Sequence, residues 1–316
     1  MIVRWGLDQL EPLLAELGIA RPLLVAGKRW DDLDLPAAAR WSEVPSDRIE
    51  VPEGVDGILV VGGGSAIDTA KAASAASGLP LVSVPTTYSG AEWTPSFGVR
   101  TPERRLVGGG AGAHLAGIVY EPKLTLSLPR EPTVGTAMNA LAHAAEALYV
   151  KGRNPDADRH AREGATRISA ALPAVLADEA AIGPRNTLLH GASCAGQALA
   201  LAGLGLGHAM AQSVGGRYGL PHGAMNAISL PPALRFNLPV ATKEIESFGD
   251  AMGTDDPIGK VKHLAGLGGF ERLRDFGVPD DELDEVAAMA AARQGAKANP
   301  RPASPAEIAA LLRSVW

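Results

Sequence analysis

Cysteine, aromatic residues and long apolar runs are all scarce in this 316-residue chain. Its single cysteine, Cys194, excludes an internal disulfide framework and fits a reducing compartment. It lies in the small apolar run GASCAGQALALAG and reads as a buried structural thiol, not a nucleophile. Aromatics make up 4 % against 46 % hydrophobic residues, so the apolar content comes mainly from Ala, Leu and Val. That mix suits helices packed closely over a parallel sheet. No stretch of about 18 apolar residues runs free of polar breaks, which argues against a membrane span. The opening MIVRWGLDQLEPLLAELG, read as a strand and an amphipathic helix, lacks the uninterrupted apolar core of a signal peptide. Basic charge is short too: 29 basic against 35 acidic residues give −6, with no long single-sign block. Nucleic-acid binding through a basic stripe is excluded on that ground. The expectation is a soluble cytoplasmic protein with a small-molecule substrate, no nucleic acid and no membrane.

What is present divides in two. Up to about residue 128, short apolar runs alternate with Gly- and Pro-rich turns: PLLVAG (22–27), GILVVGGGS (57–65), PLVSVPTT (80–87) and AGIVYEP (116–122). None alternates strictly, which suits strands buried on both faces. AIDTAKAASAAS opens as a helix from the glycines, so strand, turn, helix and strand make a βαβ unit with a parallel sheet. From about residue 132 the pattern is helical almost throughout, and the last helix starts at Ser304-Pro305 with Glu307 as its capping partner. The predicted fold is an α/β nucleotide-binding domain (1–128) with a parallel sheet, followed by an all-helical domain (129–316).

Gly62, Gly63, Gly64 and Ser65 fall between a buried strand and a helix. Glycines there let the backbone approach a diphosphate and adopt positive φ, while the helix start offers N–H groups to the anion. The spacing is not G-x-G-x-x-G, but Asp68 and Lys71 make GGGSAIDTAK a rarer string than three glycines. Downstream, the threonines of Pro85-Thr86-Thr87-Tyr88-Ser89-Gly90-Ala91-Glu92-Trp93-Thr94-Pro95 end a buried strand and can bond a ribose or phosphate edge. In the second half, Asn139 and His143 are four apart and share a helix face. His208 and His222 complete a candidate polar pocket within Ala/Gly-rich helices.

These strings resemble the iron-containing (metal-dependent) alcohol dehydrogenase superfamily. GGGSAIDTAK is similar to its GGGS-x-x-D-x-A-K signature, and the PTTY segment looks like that of the maleylacetate reductase branch. The resemblance implies the fold of that superfamily, which it shares with the dehydroquinate synthases. It also implies an NAD(P)H-dependent enzyme moving hydride to a carbonyl or activated double bond of a small substrate. By resemblance, Gly62, Gly63, Gly64, Ser65 and Asp68 serve the cofactor, as do Thr86, Thr87, Ser89 and Thr94. The region 100–114 has arginines and glycines where a cofactor-contacting lysine is common, and Arg104 or Arg105, the latter as the candidate, would take its place. Asn139, His143, His208 and His222 match the positions that bind a divalent iron or zinc ion in metal-dependent members. Asn139 replaces the carboxylate there, within MNALAHAAEALY, as in the maleylacetate reductases, which work without a metal. The metal ligands, if one is retained, would be His143, His208 and His222. Without it, the histidines and Asn139 would polarise the substrate carbonyl or bind its carboxylates, with one His donating the proton.

Gln212 stands where relatives often carry a second histidine, and HGAMNAISLP is more like the alcohol dehydrogenases. Residues 30–56 look short for the superfamily, with one strand-like patch at ARWSEV. Gly27, Lys28 and Arg29 follow the first nucleotide-domain strand where NAD-preferring relatives carry an Asp, so the reading leans to NADPH. A metal-dependent alcohol dehydrogenase and a weakly catalytic nucleotide-binding paralogue are the alternatives, and a homodimer is the expected assembly.

Overall fold

A computed structural model describes residues 1–316. The chain divides into two compact units, Met1–Thr87 with Ala91–Ser127, and Tyr88–Gly90 with Leu128–Trp316.

The first unit is built on strands β1 (Ile2–Trp5), β2 (Pro22–Ala26), β3 (Ala39–Trp41), β4 (Gly57–Gly62), β5 (Pro80–Pro85), β6 (Phe97–Arg100), β7 (Leu106–Gly110) and β8 (His114–Tyr120). Helix α1 (Leu10–Glu16) follows β1, and α2 (Gly64–Ser77) follows β4. Six strands form one parallel sheet in the order β1-β8-β5-β4-β2-β3. The period of two along each strand divides its side chains between two cores. Leu23, Val25, Ile58, Val60 and Leu81 face Ile67 and Ala70 of α2. Their neighbours Leu24, Leu59, Val61, Val82 and Val84 pack with Leu10, Leu13 and Leu14 of α1. Burial on both sides explains why these strands read as continuous apolar runs; each buried Leu or Val contributes about 1.5–3 kcal/mol. No α-helix forms between residues 31 and 63, in keeping with the short 30–56 segment. RTPERRLVGGG (100–110), which suggests no element by its pattern, supplies the turn and second strand of the antiparallel hairpin β6–β7, with Arg104 at φ 68° in its turn.

The second unit is helical: α3 (Arg130–Ala147), α4 (Pro155–Ala177), α5 (Ile182–Ala202), α6 (Leu206–Tyr218), α7 (His222–Asn237), α8 (Thr242–Met252), α9 (Pro257–Gly266), α10 (Leu283–Ala292), α11 (Gln294–Ala298) and α12 (Pro305–Arg313). Small residues permit its packing. A Cβ on Gly191 of α5 would lie 2.9 Å from Ile168 Cγ1 of α4, and one on Gly164 would lie 3.0 Å from the Ala195 nitrogen. Ser304 and Glu307 form the expected capping box on α12. The run 185–219, which the pattern carries through as helix, breaks at Gly203–Gly205, and α5 and α6 meet at 102°. Gly203 takes φ 87°, a conformation that costs other residues far more. No single helix is long and apolar enough to cross a membrane. Cys194 is half-buried rather than fully buried, and burial pushes its thiol up, away from the reactive thiolate.

Candidate active site

Helix α3 carries Asn139, His143 and Glu146 at offsets of four and three, the spacing that stacks side chains along one face. All three are buried. Glu146, absent from the sequence-based set, organises the next element. Helix α6 begins after Gly205 with no side-chain cap of its own. The Glu146 carboxylate accepts from the Gly205 N–H at 2.7 Å and the His208 N–H at 3.1 Å, supplying the missing cap from another helix. It also meets His208 Nδ1 at 2.7 Å. A carboxylate partner makes Nδ1 the protonated nitrogen of that ring and turns Nε2 toward the cluster. Gly205 and Gly207 leave the room: a Cβ on either would lie 2.9 Å from Glu146.

The rings of His143 and His208 stack at 4.6 Å between centroids, and His222 lies 5.9 Å from His208. Asn139 donates from Nδ2 to the Ser89 carbonyl at 2.8 Å, which fixes its amide so that Oδ1 faces inward. Asn226, on α7 one turn beyond His222, donates from Nδ2 to that Oδ1 at 2.6 Å and lies 3.0 Å from His222 Nε2. His222 Nε2 is therefore an acceptor. Residues Tyr88–Gly90 close the cluster: a Cβ on Gly90 would lie 3.4 Å from His143 Nδ1. His143 Nδ1, His208 Nε2 and Asn226 Oδ1 are buried without a hydrogen-bond partner. Burial, reinforced by the neighbouring His208 and His222, holds the His143 imidazole well below its ordinary range, so it stays neutral. The cluster thus offers one neutral imidazole, one imidazole backed by a buried carboxylate, and open polar atoms that call for a ligand.

In the first unit, the glycine turn acts through space rather than through backbone torsion. None of Gly62, Gly63 and Gly64 has positive φ, which corrects the torsional part of the expectation. A Cβ on Gly62 would lie 2.6 Å from Ala66 Cβ, and one on Gly63 would lie 2.7 Å from Thr87 Cγ2. Helix α2 opens at Gly64, ahead of the expected Ala66, with no side-chain cap, leaving its first N–H groups for an anion. Thr86 donates its N–H to the Gly62 carbonyl, and Thr87 Oγ1 is buried without a partner beside Gly63. Asp68 is tied inward, accepting from the Gly98 N–H at 3.2 Å and lying 3.4 Å from Lys71 Nζ. Lys71 in turn bonds the Ser96 carbonyl, so this pair fastens α2 to the segment leading into β6. Ser89 lies with the second unit. Thr94 is partly exposed and Arg105 exposed, and no hydrogen bond joins either to the glycine turn.

Glu146 and Asn226 are the site residues that sequence reasoning misses. The signal for Glu146 is an acid three residues after His143 in the Ala-rich second half of α3; Asn226 likewise falls four residues after His222.

A family model described as "Fe-containing alcohol dehydrogenase family, C-terminal" matches residues 133–316, and one described as "Iron-containing alcohol dehydrogenase" matches residues 50–110. The maleylacetate reductase of Burkholderia cepacia is 35 % identical over 264 residues, spanning 83 % of this chain and 74 % of that protein. An iron-containing alcohol dehydrogenase from Corynebacterium glutamicum superposes with a TM-score of 0.88 at 28 % identity, over 100 % of this chain and 94 % of that one. A maleylacetate reductase from Rhizobium sp. strain MTP-10005 does so at 0.86 and 27 %, over 100 % and 95 %.

Proposed function

From membership of the iron-containing alcohol dehydrogenase family, to which this chain belongs, we propose a specific activity for this NAD(P)-dependent oxidoreductase. It reduces the activated double bond or carbonyl of a small carboxylate substrate of the maleylacetate kind, with NADPH preferred. Residues 1–128 hold the nucleotide and 129–316 the substrate. A cytoplasmic homodimer is the form in which we place it, supported by the lone cysteine and by the prevalence of two-fold oligomers.

The family implies a nicotinamide cofactor and a divalent metal ion, and the residues here suit the two differently. The crowded glycine turn, the uncapped start of α2 and the unpartnered Thr87 hydroxyl fit a diphosphate and its ribose. Lys28, exposed after β2 and with no acid beside it, supports tolerance of a 2′-phosphate; Arg29 is engaged with Ser127 at 2.6 Å. A metal fits poorly. The only carboxylate at the cluster, Glu146, is spent on His208 and two backbone N–H groups. The Asn226 amide nitrogen, a donor, stands where Asn139 Oδ1 and His222 Nε2 converge. No three His, Cys, Asp or Glu side chains are arranged to hold an ion.

The observation that carries the reading is the Glu146–His208 pair, at 2.7 Å with His208 Nε2 open. A reduced nicotinamide, when bound, supplies the hydride to the carbon β to the substrate ketone. The neutral His143 imidazole bonds the enolate oxygen that develops, which stabilises charge without itself ionising. His208, its Nδ1 held by Glu146, gives up the proton from Nε2 to the adjacent carbon. His222 stays out of proton transfer because its Nε2 accepts from Asn226. Asn139 braces that amide from the other side.

Oxidation of NADPH and NADH, followed with maleylacetate and with simple aldehydes, tests the proposal. Turnover of maleylacetate with higher kcat/KM for NADPH is expected. Reduction of aldehydes alone would refute it.

A further inference from the structure

Arg293 interrupts the helical run between α10 and α11, in extended backbone at φ −75° and ψ 153°. Its guanidinium reaches across to α6. Nε donates to Ser213 Oγ at 2.7 Å, one terminal nitrogen to Gln212 Oε1 at 3.4 Å, and the other to the Gln212 carbonyl at 3.3 Å. None of these three acceptors is charged. Several other arginines of this unit are met by acids: Arg153 by Asp158 and Glu244, Arg217 by Glu282 and Glu285, Arg313 by Asp284. Arg293 is half-buried, and burial lowers its pKa with no acid to offset the loss of solvent. The group stays cationic, since a guanidinium does not deprotonate in proteins. A partly desolvated cation with only neutral partners is short of an anion.

Its position says which anion. Gln212 follows His208 by four residues on α6, so the two side chains share a face about 6 Å apart along the axis. That is about the distance from a reacting carbon to a carboxylate at the end of a short chain. Three of the five guanidinium N–H groups are engaged, leaving two for a ligand. With Oε1 turned to Arg293, the Gln212 amide nitrogen remains as a further donor. A planar fork beside an amide NH₂ matches a carboxylate and is wasted on a neutral group.

We propose that Arg293, steadied by Gln212 and Ser213, anchors a carboxylate of the substrate one helical turn from His208 and so selects anionic substrates. Gln212 thereby has a purpose that does not require it to move protons. The assignment rests on the reductase reading above and adds to it the residue that reads substrate charge.

Arg293→Gln and Arg293→Lys, assayed with maleylacetate and with its uncharged dimethyl ester, separate this role from a structural one. Loss of a charge-assisted contact is expected to raise KM for the diacid on the order of 10²-fold in Arg293→Gln, with kcat changed less than about fivefold. KM for the ester stays within about twofold, and Arg293→Lys recovers part of the loss. Turnover by the wild type with an unchanged diacid KM in Arg293→Gln overturns the anchor alone. Equal loss with diacid and ester means that Arg293 only ties α11 to α6, and overturns it as well. Absence of any maleylacetate turnover by the wild type overturns the reductase reading and the anchor with it.

Discussion

Glu92 sits in the first unit with almost no exposure, its Oε1 accepting from the Tyr120 hydroxyl at 2.7 Å and its Oε2 without a partner. Burial raises its pKa, outweighing the Tyr120 bond and the charge of Lys71. The folded protein therefore keeps this proton to higher pH than the unfolded chain, whose ordinary value is about 4.3. The stability this group supplies is complete below that value and is lost as pH rises through the folded one. Glu92→Gln retains the acceptor for Tyr120 and cannot ionise. Urea titrations should find it equal to the wild type near pH 4.5 and more stable on the order of 1 kcal/mol at pH 8. A loss of equal size at both pH values would show that the carboxyl is held by its bonds and not penalised by its burial. Glu92 also marks how far residue-level reading goes. It is visible in the PTTYSGAEWTP string, but nothing in the string says that it is buried against the Tyr120 hydroxyl with one oxygen left unpartnered.

Among the elements, the hinge between α5 and α6 and the face of α3 belong together. Asn139 and His143 are legible in the sequence because a helix repeats every 3.6 residues and puts them on one side. Glu146 is on that same side, yet its partners, Gly205 and His208, are about sixty residues away and meet it only because α5 ends and α6 turns through 102°. The run GLGLGHAMAQ carries no proline and too little polarity to announce that break. Gly205 has φ −114°, open to any residue, so an alanine there acts through space alone. Its Cβ would fall 2.9 Å from the Glu146 carboxylate. Gly205→Ala is expected to displace the acid from His208 and lower kcat about 10²-fold, the usual worth of a positioned acid, in a protein that still folds. Steady-state kinetics beside circular dichroism checks this, and an unchanged kcat in a folded variant would separate Glu146 from catalysis. The strands were easier to read than the hinge, since full burial on both faces leaves four to six apolar residues between glycines and prolines. The β6–β7 hairpin was not, because its arginines and glycines carry no alternation.

At the scale of the whole chain, the first unit offers a crowded glycine turn at an uncapped helix start and the second a cluster of imidazoles and amides. Both follow from motifs long enough to read. The chemistry of the second does not follow from its motif, because the same three histidines serve a metal or a metal-free site. The choice turns on one amide, Asn226, whose nitrogen faces Asn139 Oδ1 and His222 Nε2. In place of a cation, that arrangement puts a hydrogen-bond donor where the two acceptors meet. Elsewhere the cluster is served by Glu146, which leaves no carboxylate for an ion. The measurement that bears most directly on this account is NADPH oxidation with maleylacetate by enzyme stripped with chelator, its metal content verified by elemental analysis. The account predicts a rate within about twofold of the untreated enzyme, since acid, enolate donor and brace all come from side chains. Activity lost on stripping and restored by zinc or iron would contradict it.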